Sequence, residues 1–175
     1  MTDKLEMIRS RIRDVPDFPK PGILFKDITP LIGDAAGLAA TCDLLAEPFA
    51  GAGVDAVAGM ESRGFIFGAP VAERLGVGFV PIRKPGKLPA DTVREVYDLE
   101  YGTDALEMHS DAVPAGARVL LVDDLLATGG TAAATARLVR RIGAEVVAAA
   151  FVVELGFLPG RRALEGTRVH SLVTY

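Results

Sequence analysis

The sequence contains few of the residues and patterns that secreted or membrane-embedded proteins depend on. Only one of its 175 residues, Cys42, is a cysteine. No internal disulfide can therefore form, and we expect a reducing, cytoplasmic location. The N-terminal residues alternate charged with apolar side chains and lack the apolar core of a signal peptide. No run approaches the roughly 20 apolar residues of a membrane-spanning helix, so we expect no membrane association.

The chain also lacks the positive charge that typifies nucleic-acid-binding proteins. It has 19 Lys and Arg against 23 Asp and Glu, a net charge of -4. Such a chain has no basic field to attract a phosphate backbone, so we expect no nucleic-acid partner. Because 50% of the residues are apolar and 24% charged, the composition is that of a folded protein. Its length fits a single domain spanning residues 1–175.

One stretch, residues 118–132, combines a buried strand with an anion-binding turn. Four apolar residues at 119–122 predict a strand that ends at the adjacent carboxylates Asp123 and Asp124. The turn Thr-Gly-Gly-Thr at 128–131 and an Ala-rich helical pattern follow. A helix start after such a turn directs N–H groups toward an anion, whereas carboxylates accept hydrogen bonds from sugar hydroxyls. The stretch therefore predicts a site for a phosphorylated sugar.

A second strand, turn and helix start surround Ser62. A short strand at 55–58 leads to the turn, and a helical pattern continues to about residue 75. One interpretation is a second anion site with Arg63 beside it. The other is a helix capped by Ser62, with Arg63 in solvent. The residues leave both open.

A basic loop follows the next apolar strand, at 77–83. Residues 84–92 read K-P-G-K-L-P-A-D-T, and this loop is either solvated or a lid that closes over a polyanion. Alternation of apolar and polar residues over 94–108 predicts an antiparallel hairpin, at the edge of the parallel core, that carries the lid. The basic residues of the lid and its base are Arg83, Lys84 and Lys87.

The proline-rich segment 16–30 carries apolar side chains but is unsuited to a central strand. It is either a loop packed onto the body or a cover over a flat ligand. Elsewhere, buried strands are predicted at 55–58, 77–83, 119–122, 145–153 and 169–174. Joined by helices, these strands predict an α/β fold with a central, mostly parallel sheet. Ligands of such sheets bind at the carboxyl ends of the strands. Three loops follow such ends: the turn around Ser62, the basic loop at 84–92 and the segment 123–131.

Five segments resemble a known family. V-D-D-L-L-A-T-G-G-T is similar to the phosphoribosyl pyrophosphate (PRPP) signature of type I phosphoribosyltransferases. Four more resemble the adenine-specific branch of that family: F-P-K-P-G-I-L-F-K-D-I-T-P, E-S-R-G-F-I-F-G-A-P, I-R-K-P-G-K-L-P and Y-D-L-E-Y-G-T-D-A-L-E-M-H. The matches are collinear and cover most of residues 8–153, whereas residues 155–168 carry no motif specific to this branch.

The resemblance implies a type I phosphoribosyltransferase fold with a hood at about 16–30 and a lid at about 84–101. It implies that adenine and PRPP give AMP and pyrophosphate in purine salvage. It also implies a homodimer, and Mg²⁺ held mainly by PRPP and water without a direct protein ligand. Alternatives are another purine base, such as xanthine or hypoxanthine, or a PRPP-sensing regulator.

The resemblance also implies roles for individual residues. The ribose hydroxyls would bind Asp123 and Asp124. The 5′-phosphate would be cradled by Ala127, Thr128, Gly129, Gly130 and Thr131. The pyrophosphate would contact Glu61, Ser62, Arg63, Arg83, Lys84 and Lys87. Adenine would lie against Leu24, Phe25, Lys26 and Leu125.

Three residues would take part in catalysis: Glu100, Arg63 and Lys87. Glu100 would share a proton with adenine N7, and Tyr101 would follow it on the closing lid. Without the resemblance, Glu100 would simply be a solvent-facing residue on an alternating hairpin. The reaction requires no covalent nucleophile, in agreement with a sequence that offers no Ser/His or Cys/His arrangement.

Overall fold

The computed structural model describes residues 2–98 and 102–175. The helices are α1 (Thr2–Ser10), α2 (Thr29–Gly33), α3 (Ala35–Ala46), α4 (Arg63–Leu75), α5 (Gly130–Arg141) and α6 (Gly160–Ala163), with a 3₁₀ turn at Glu47–Phe49. The strands are β1 (Arg13–Pro16), β2 (Leu24–Asp27), β3 (Ala56–Met60), β4 (Gly78–Ile82), β5 (Thr92–Asp98), β6 (Thr103–His109), β7 (Arg118–Leu126), β8 (Glu145–Glu154) and β9 (Arg168–Thr174). Among the helices of these described residues, not one is long and apolar enough to cross a membrane.

A parallel sheet with the order β4-β3-β7-β8-β9 forms the centre of the molecule. Its inner strands are apolar on both faces, since helices cover both sides. On one face Leu121 belongs to the same buried cluster as Leu138 of α5, and on the other Val57 belongs to the same buried cluster as Phe67 of α4. The predicted α/β architecture is confirmed. The carboxyl ends of β3, β4 and β7 lie along one edge, and this edge carries the loops singled out in the sequence.

β7 is longer than the sequence analysis predicted. It does not end at Asp123 but continues to Leu126, because β8 supplies backbone partners beyond the acidic pair. Asp123 is paired with Phe151 and Leu125 with Val153. The two carboxylates are therefore held by a strand rather than by a loop.

The predicted hairpin is confirmed as β5 and β6, which pair antiparallel from Thr92–His109 to Asp98–Thr103. It forms a sheet of its own instead of extending the central one. An isolated bridge joins it to the residue after β4: Arg83 N donates to Glu107 O at 2.9 Å and Glu107 N to Arg83 O at 2.7 Å. Helix α5 packs against the hairpin, where Glu95 accepts a hydrogen bond from Arg137.

The proline-rich segment forms the antiparallel hairpin β1–β2, which the sequence analysis did not predict. Pro16 is tolerated because it lies at the end of an edge strand. Phe18 and Leu24 are 50% and 52% exposed, whereas Ile28 is 4% exposed and belongs to the core. The hairpin therefore presents exposed apolar side chains, while the end of the segment packs onto the body. Phe18 and Phe25 contact each other edge to face, with ring centroids 5.1 Å apart.

Candidate active site

A cavity of about 470 Å³ opens at the carboxyl edge of the central sheet. It is lined by two segments, residues 61–63 after β3 and residues 123–132 at the end of β7 and the start of α5. In the sequence these two segments are separate candidate anion sites. The parallel register of β3 and β7 joins them into one, because both strands end at the same edge.

The turn at the start of α5 has the geometry of a phosphate cradle. Gly129 precedes the helix with φ 84°, a left-handed conformation that glycine adopts without strain. The first turn of α5 contains no acidic side chain. Its N–H groups, which lack intrahelical acceptors, and the positive end of the helix therefore face a cavity suited to an anion.

The two carboxylates of β7 are in different electrostatic states. Asp124 is 6% exposed, and its Oδ2 lies 2.7 Å from Nε of Arg63. Asp123 Oδ1 accepts a hydrogen bond of 2.9 Å from Asp124 N. Burial first, and the adjacent Asp124 carboxylate second, raise the pKa of Asp123 well above its ordinary value. The pair thus presents one ion-paired and one readily protonated carboxyl group to the cavity.

The turn before α4 is part of the site and not a simple helix cap. Ser62 precedes α4, but its side chain makes no capping hydrogen bond with the described backbone. Arg63 is 46% exposed, but its guanidinium is paired with Asp124. The alternative of a helix capped by Ser62 with an unpaired arginine is therefore not what the structure shows. The Glu61–Ser62 peptide bond is cis.

The base of the lid adjoins the cavity through Glu61. Arg83 donates to both carboxylate oxygens of Glu61 at 3.2 Å, and Lys84 N donates to Oε2 at 2.9 Å. The Lys84 hydrogen bond, followed by Arg83, lowers the pKa of Glu61. Lys84 Nζ is paired with Asp104 on β6. Arg83 and Lys84 thus both have carboxylate partners within the protein. The backbone carbonyl of Lys87 accepts a hydrogen bond of 3.2 Å from Arg83.

The hood contributes one aromatic ring near this cavity. The Cζ atom of Arg63 lies 6.0 Å from the ring centroid of Phe25. Leu125, the apolar residue predicted beside the base, lines the cavity. Leu24 is half exposed at the rim of the hood, and the ammonium of Lys26 bonds to Asp14 at 2.6 Å. The remaining predicted residues, Glu100 and Tyr101, lie outside the described part of the chain.

A support beneath the phosphate cradle was missed by the sequence analysis, because residues 155–168 carry no specific motif. A Cβ on Gly160 would lie 2.4 Å from Ala127 O, and one on Gly129 would lie 2.6 Å from Gly160 O. Glu154, at the end of β8, accepts from Arg161 at 2.6 and 2.7 Å and so anchors α6. The glycines and the Glu154–Arg161 ion pair would have been recognisable only from this packing.

Comparison with known proteins agrees with this geometry. Residues 25–166 match the model of the phosphoribosyl transferase domain. An adenine phosphoribosyltransferase of Methylococcus capsulatus is 61% identical over 171 residues, which cover 98% of this chain and 100% of that protein. The chain belongs to the adenine phosphoribosyltransferase family. Such relatives do not favour the alternatives of another purine base or a PRPP-sensing regulator.

Solved structures of the adenine phosphoribosyltransferase family have the same fold. The enzyme of Thermoanaerobacter pseudethanolicus is 55% identical and superimposes with a TM-score of 0.94, covering 98% of this chain and 99% of that one. The Saccharomyces cerevisiae enzyme, 40% identical with a TM-score of 0.93 and the same coverage, was crystallised with an imino-altritol bisphosphate and adenine. The predicted type I phosphoribosyltransferase fold is therefore confirmed.

Proposed function

We propose that this protein transfers the 5-phosphoribosyl group of PRPP to adenine, giving AMP and pyrophosphate in purine salvage. The observation that carries the proposal is the single cavity in which a phosphate cradle, two carboxylates and the residue 61–63 turn meet. A sugar with phosphate groups at both ends needs this combination. The family to which the chain belongs supports adenine as the acceptor base.

The residues around the cavity suggest how PRPP is held. The amides at the start of α5 and the hydroxyls of Thr128 and Thr131 bind the 5′-phosphate. The carboxylates of Asp123 and Asp124 accept hydrogen bonds from the ribose hydroxyls. Both groups line the same cavity, so the sugar is held between the helix start and the end of β7.

The pyrophosphate end of PRPP is assigned to the residue 61–63 turn and the lid. In the described structure Arg63 and Arg83 are paired with Asp124 and Glu61. Binding of a polyanion requires these cations to exchange some of their carboxylate contacts for phosphate oxygens. Arginine suits this exchange because its planar guanidinium binds carboxylates and phosphates in similar geometry. Lys84 and Lys87 add positive charge when the lid closes.

Departure of pyrophosphate leaves positive charge on C1 of the ribose and negative charge on the leaving group. Arg63 and the lid cations stabilise the negative charge. Phe25 stacks on the base while backbone groups of Leu24 and Lys26 read its edge, and Leu125 packs beside it. Lid closure excludes water, which protects the ribosyl cation from hydrolysis. Glu100 shares a proton with adenine N7, and Tyr101 closes next to it.

The donor set fits Mg²⁺ carried by the substrate. Mg²⁺ prefers an octahedron of oxygens, keeps several waters and uses few carboxylates beside substrate phosphates. Glu61 and Asp124 already bind arginines, and within the described residues no three His, Cys, Asp or Glu side chains cluster as a metal site. We propose that PRPP oxygens and water supply most of its ligands. When bound, the ion neutralises part of the pyrophosphate charge.

We further propose a cytoplasmic homodimer. The resemblance to type I phosphoribosyltransferases supports the assembly. A single, buried cysteine that needs no oxidising compartment supports the location. Sedimentation equilibrium tests the assembly, and a mass equal to one chain of 18.4 kDa at micromolar concentration would contradict it.

The activity is tested by incubating the protein with PRPP, Mg²⁺ and adenine, xanthine or hypoxanthine in turn and measuring pyrophosphate release. We expect release with adenine alone. A matched pair of variants tests the site: Arg63→Ala should lower kcat/KM for PRPP by about 10-fold or more, whereas Arg74→Ala, whose guanidinium bonds Asp43 away from the cavity, should not. Release with a different base, or with none, would refute the proposal.

A further inference from the structure

A buried tyrosine joins the phosphate cradle to the lid. Tyr97 on β5 is 6% exposed. Its hydroxyl lies 3.1 Å from Oδ2 of Asp104 and 3.3 Å from Oγ1 of Thr131. Asp104 is in turn paired with Lys84 at the base of the lid. Thr131 belongs to the first turn of α5 and lines the cavity.

The hydroxyl has one proton for these two neighbours. Asp104 can only accept, so in the ligand-free arrangement Tyr97 donates to Asp104 and Thr131 donates to Tyr97. A phosphate oxygen also only accepts. The Thr131 proton must therefore turn from Tyr97 toward the phosphate when the 5′-phosphate binds.

Asp104 allows Tyr97 to follow this change. Its Oδ1 accepts from Ala105 N at 2.8 Å and its Oδ2 is paired with Lys84. The carboxylate therefore stays satisfied when the Tyr97 proton turns to the Thr131 oxygen. The Tyr97–Thr131 hydrogen bond then reverses and the Tyr97–Asp104 hydrogen bond is given up, and both changes need only rotation of hydroxyl hydrogens, without movement of heavy atoms.

We propose that Tyr97 is a positioning residue that orients the Thr131 hydroxyl for the 5′-phosphate end of the substrate. This inference rests on the proposed function. Tyr97 does not line the cavity and acts through Thr131. Its position was not marked by the sequence, in which it is one of the alternating apolar residues of the hairpin.

Tyr97→Phe removes the hydroxyl and keeps the ring. Calorimetry with ribose 5-phosphate should show binding weakened roughly 3- to 10-fold, the range of a single neutral hydrogen bond. Pyrophosphate binding and the KM for adenine should change by less than about 2-fold. The KM for PRPP should rise by the same factor by which ribose 5-phosphate binding weakens. Tyr175→Phe, the matched loss of a tyrosine hydroxyl, should leave ribose 5-phosphate binding unchanged.

A double-mutant cycle tests whether Tyr97 acts through Thr131. In a Thr131→Val background Tyr97→Phe should have no further effect, whereas in Thr131→Ser it should keep its full effect. Three results would each overturn the inference. They are additive losses of ribose 5-phosphate binding in the Tyr97→Phe, Thr131→Val double variant, equally weakened binding of ribose 5-phosphate and pyrophosphate in Tyr97→Phe, and unchanged ribose 5-phosphate binding in Tyr97→Phe. If the wild-type protein binds ribose 5-phosphate and turns over, those outcomes leave the proposed function intact. A wild-type protein that neither binds ribose 5-phosphate nor releases pyrophosphate overturns both, whereas one that releases pyrophosphate from PRPP and adenine without binding ribose 5-phosphate overturns the inference alone.

Discussion

Gly160→Ala adds one methyl group directly beneath the proposed 5′-phosphate cradle. The new Cβ would lie 2.4 Å from Ala127 O and 2.8 and 2.9 Å from two side-chain carbons of Leu126. Ordinary contact begins at 3.4 Å, so α6 and the cradle must separate by about 1 Å (3.4 minus 2.4). The φ of Gly160 lies outside the left-handed range, so the substitution tests packing and not backbone strain.

The expected cost has two parts. Overpacking lowers the free energy of unfolding by about 1–3 kcal/mol, which corresponds to a Tm lower by roughly 2–12 °C for a chain of this size. Displacement of the cradle by a large fraction of an ångström should lower kcat/KM for PRPP by about 10-fold or more. Because the three atoms nearest the new Cβ belong to Ala127 and Leu126 and not to the hood, the KM for adenine should change little.

Urea unfolding measures the loss of stability, and steady-state kinetics at saturating adenine measures the loss of kcat/KM for PRPP. Gly33→Ala is the matched control, since a Cβ there meets no atom within 4 Å among the described residues. It should leave both quantities near their wild-type values. A Gly160→Ala protein with wild-type stability and kcat/KM for PRPP would refute the idea that α6 supports the cradle.

Three further predictions concern charged or reactive groups. Because the pKa of Asp123 is raised in the folded protein, its ionised form opposes folding at neutral pH. Asp123→Asn should raise Tm at pH 7–8, by a margin that shrinks as pH falls toward about 3, below the ordinary Asp pKa, where the carboxyl is protonated in both the folded and the unfolded chain. It should also lower kcat/KM about 10- to 150-fold; an unchanged Tm difference across pH would contradict this. Glu100→Leu should lower kcat by about 100-fold or more, and a loss below about 3-fold would exclude its acid-base role. Burial raises the pKa of the Cys42 thiol from 9.0 to about 11, so Ellman's reagent should modify it about 100-fold more slowly in the native than in the urea-unfolded protein, and equal rates would show it to be accessible.

The regular elements were predictable because their signals are local. Continuous apolar runs indicated the buried parallel strands, and the glycine turn at 128–131 indicated the start of α5. The β1–β2 hairpin was missed because prolines count against strands, yet an edge strand tolerates them. The length of β7 was missed because the partner that extends it past Asp123 is β8, which is remote in sequence.

The site was predictable in its parts and not in its assembly. Resemblance and turn chemistry named Asp123, Asp124 and the 127–131 turn before any coordinates. Whether Arg63 faced solvent or another residue could not be read from the chain, because Asp124 is 61 positions away (124 minus 63). The structure shows that Arg63 forms an ion pair with Asp124.

The sequence by itself determined the fold class, the glycine turn at 128–131 and the family, since each depends on neighbours within one strand, turn or helix. Only the tertiary structure decided that the 61–63 and 123–132 segments share one cavity, that Gly160 supports the cradle and that Tyr97 contacts Thr131. These contacts join residues distant in sequence. Their free energy depends on distances of a few ångströms that packing sets, and no local pattern of residue types encodes them.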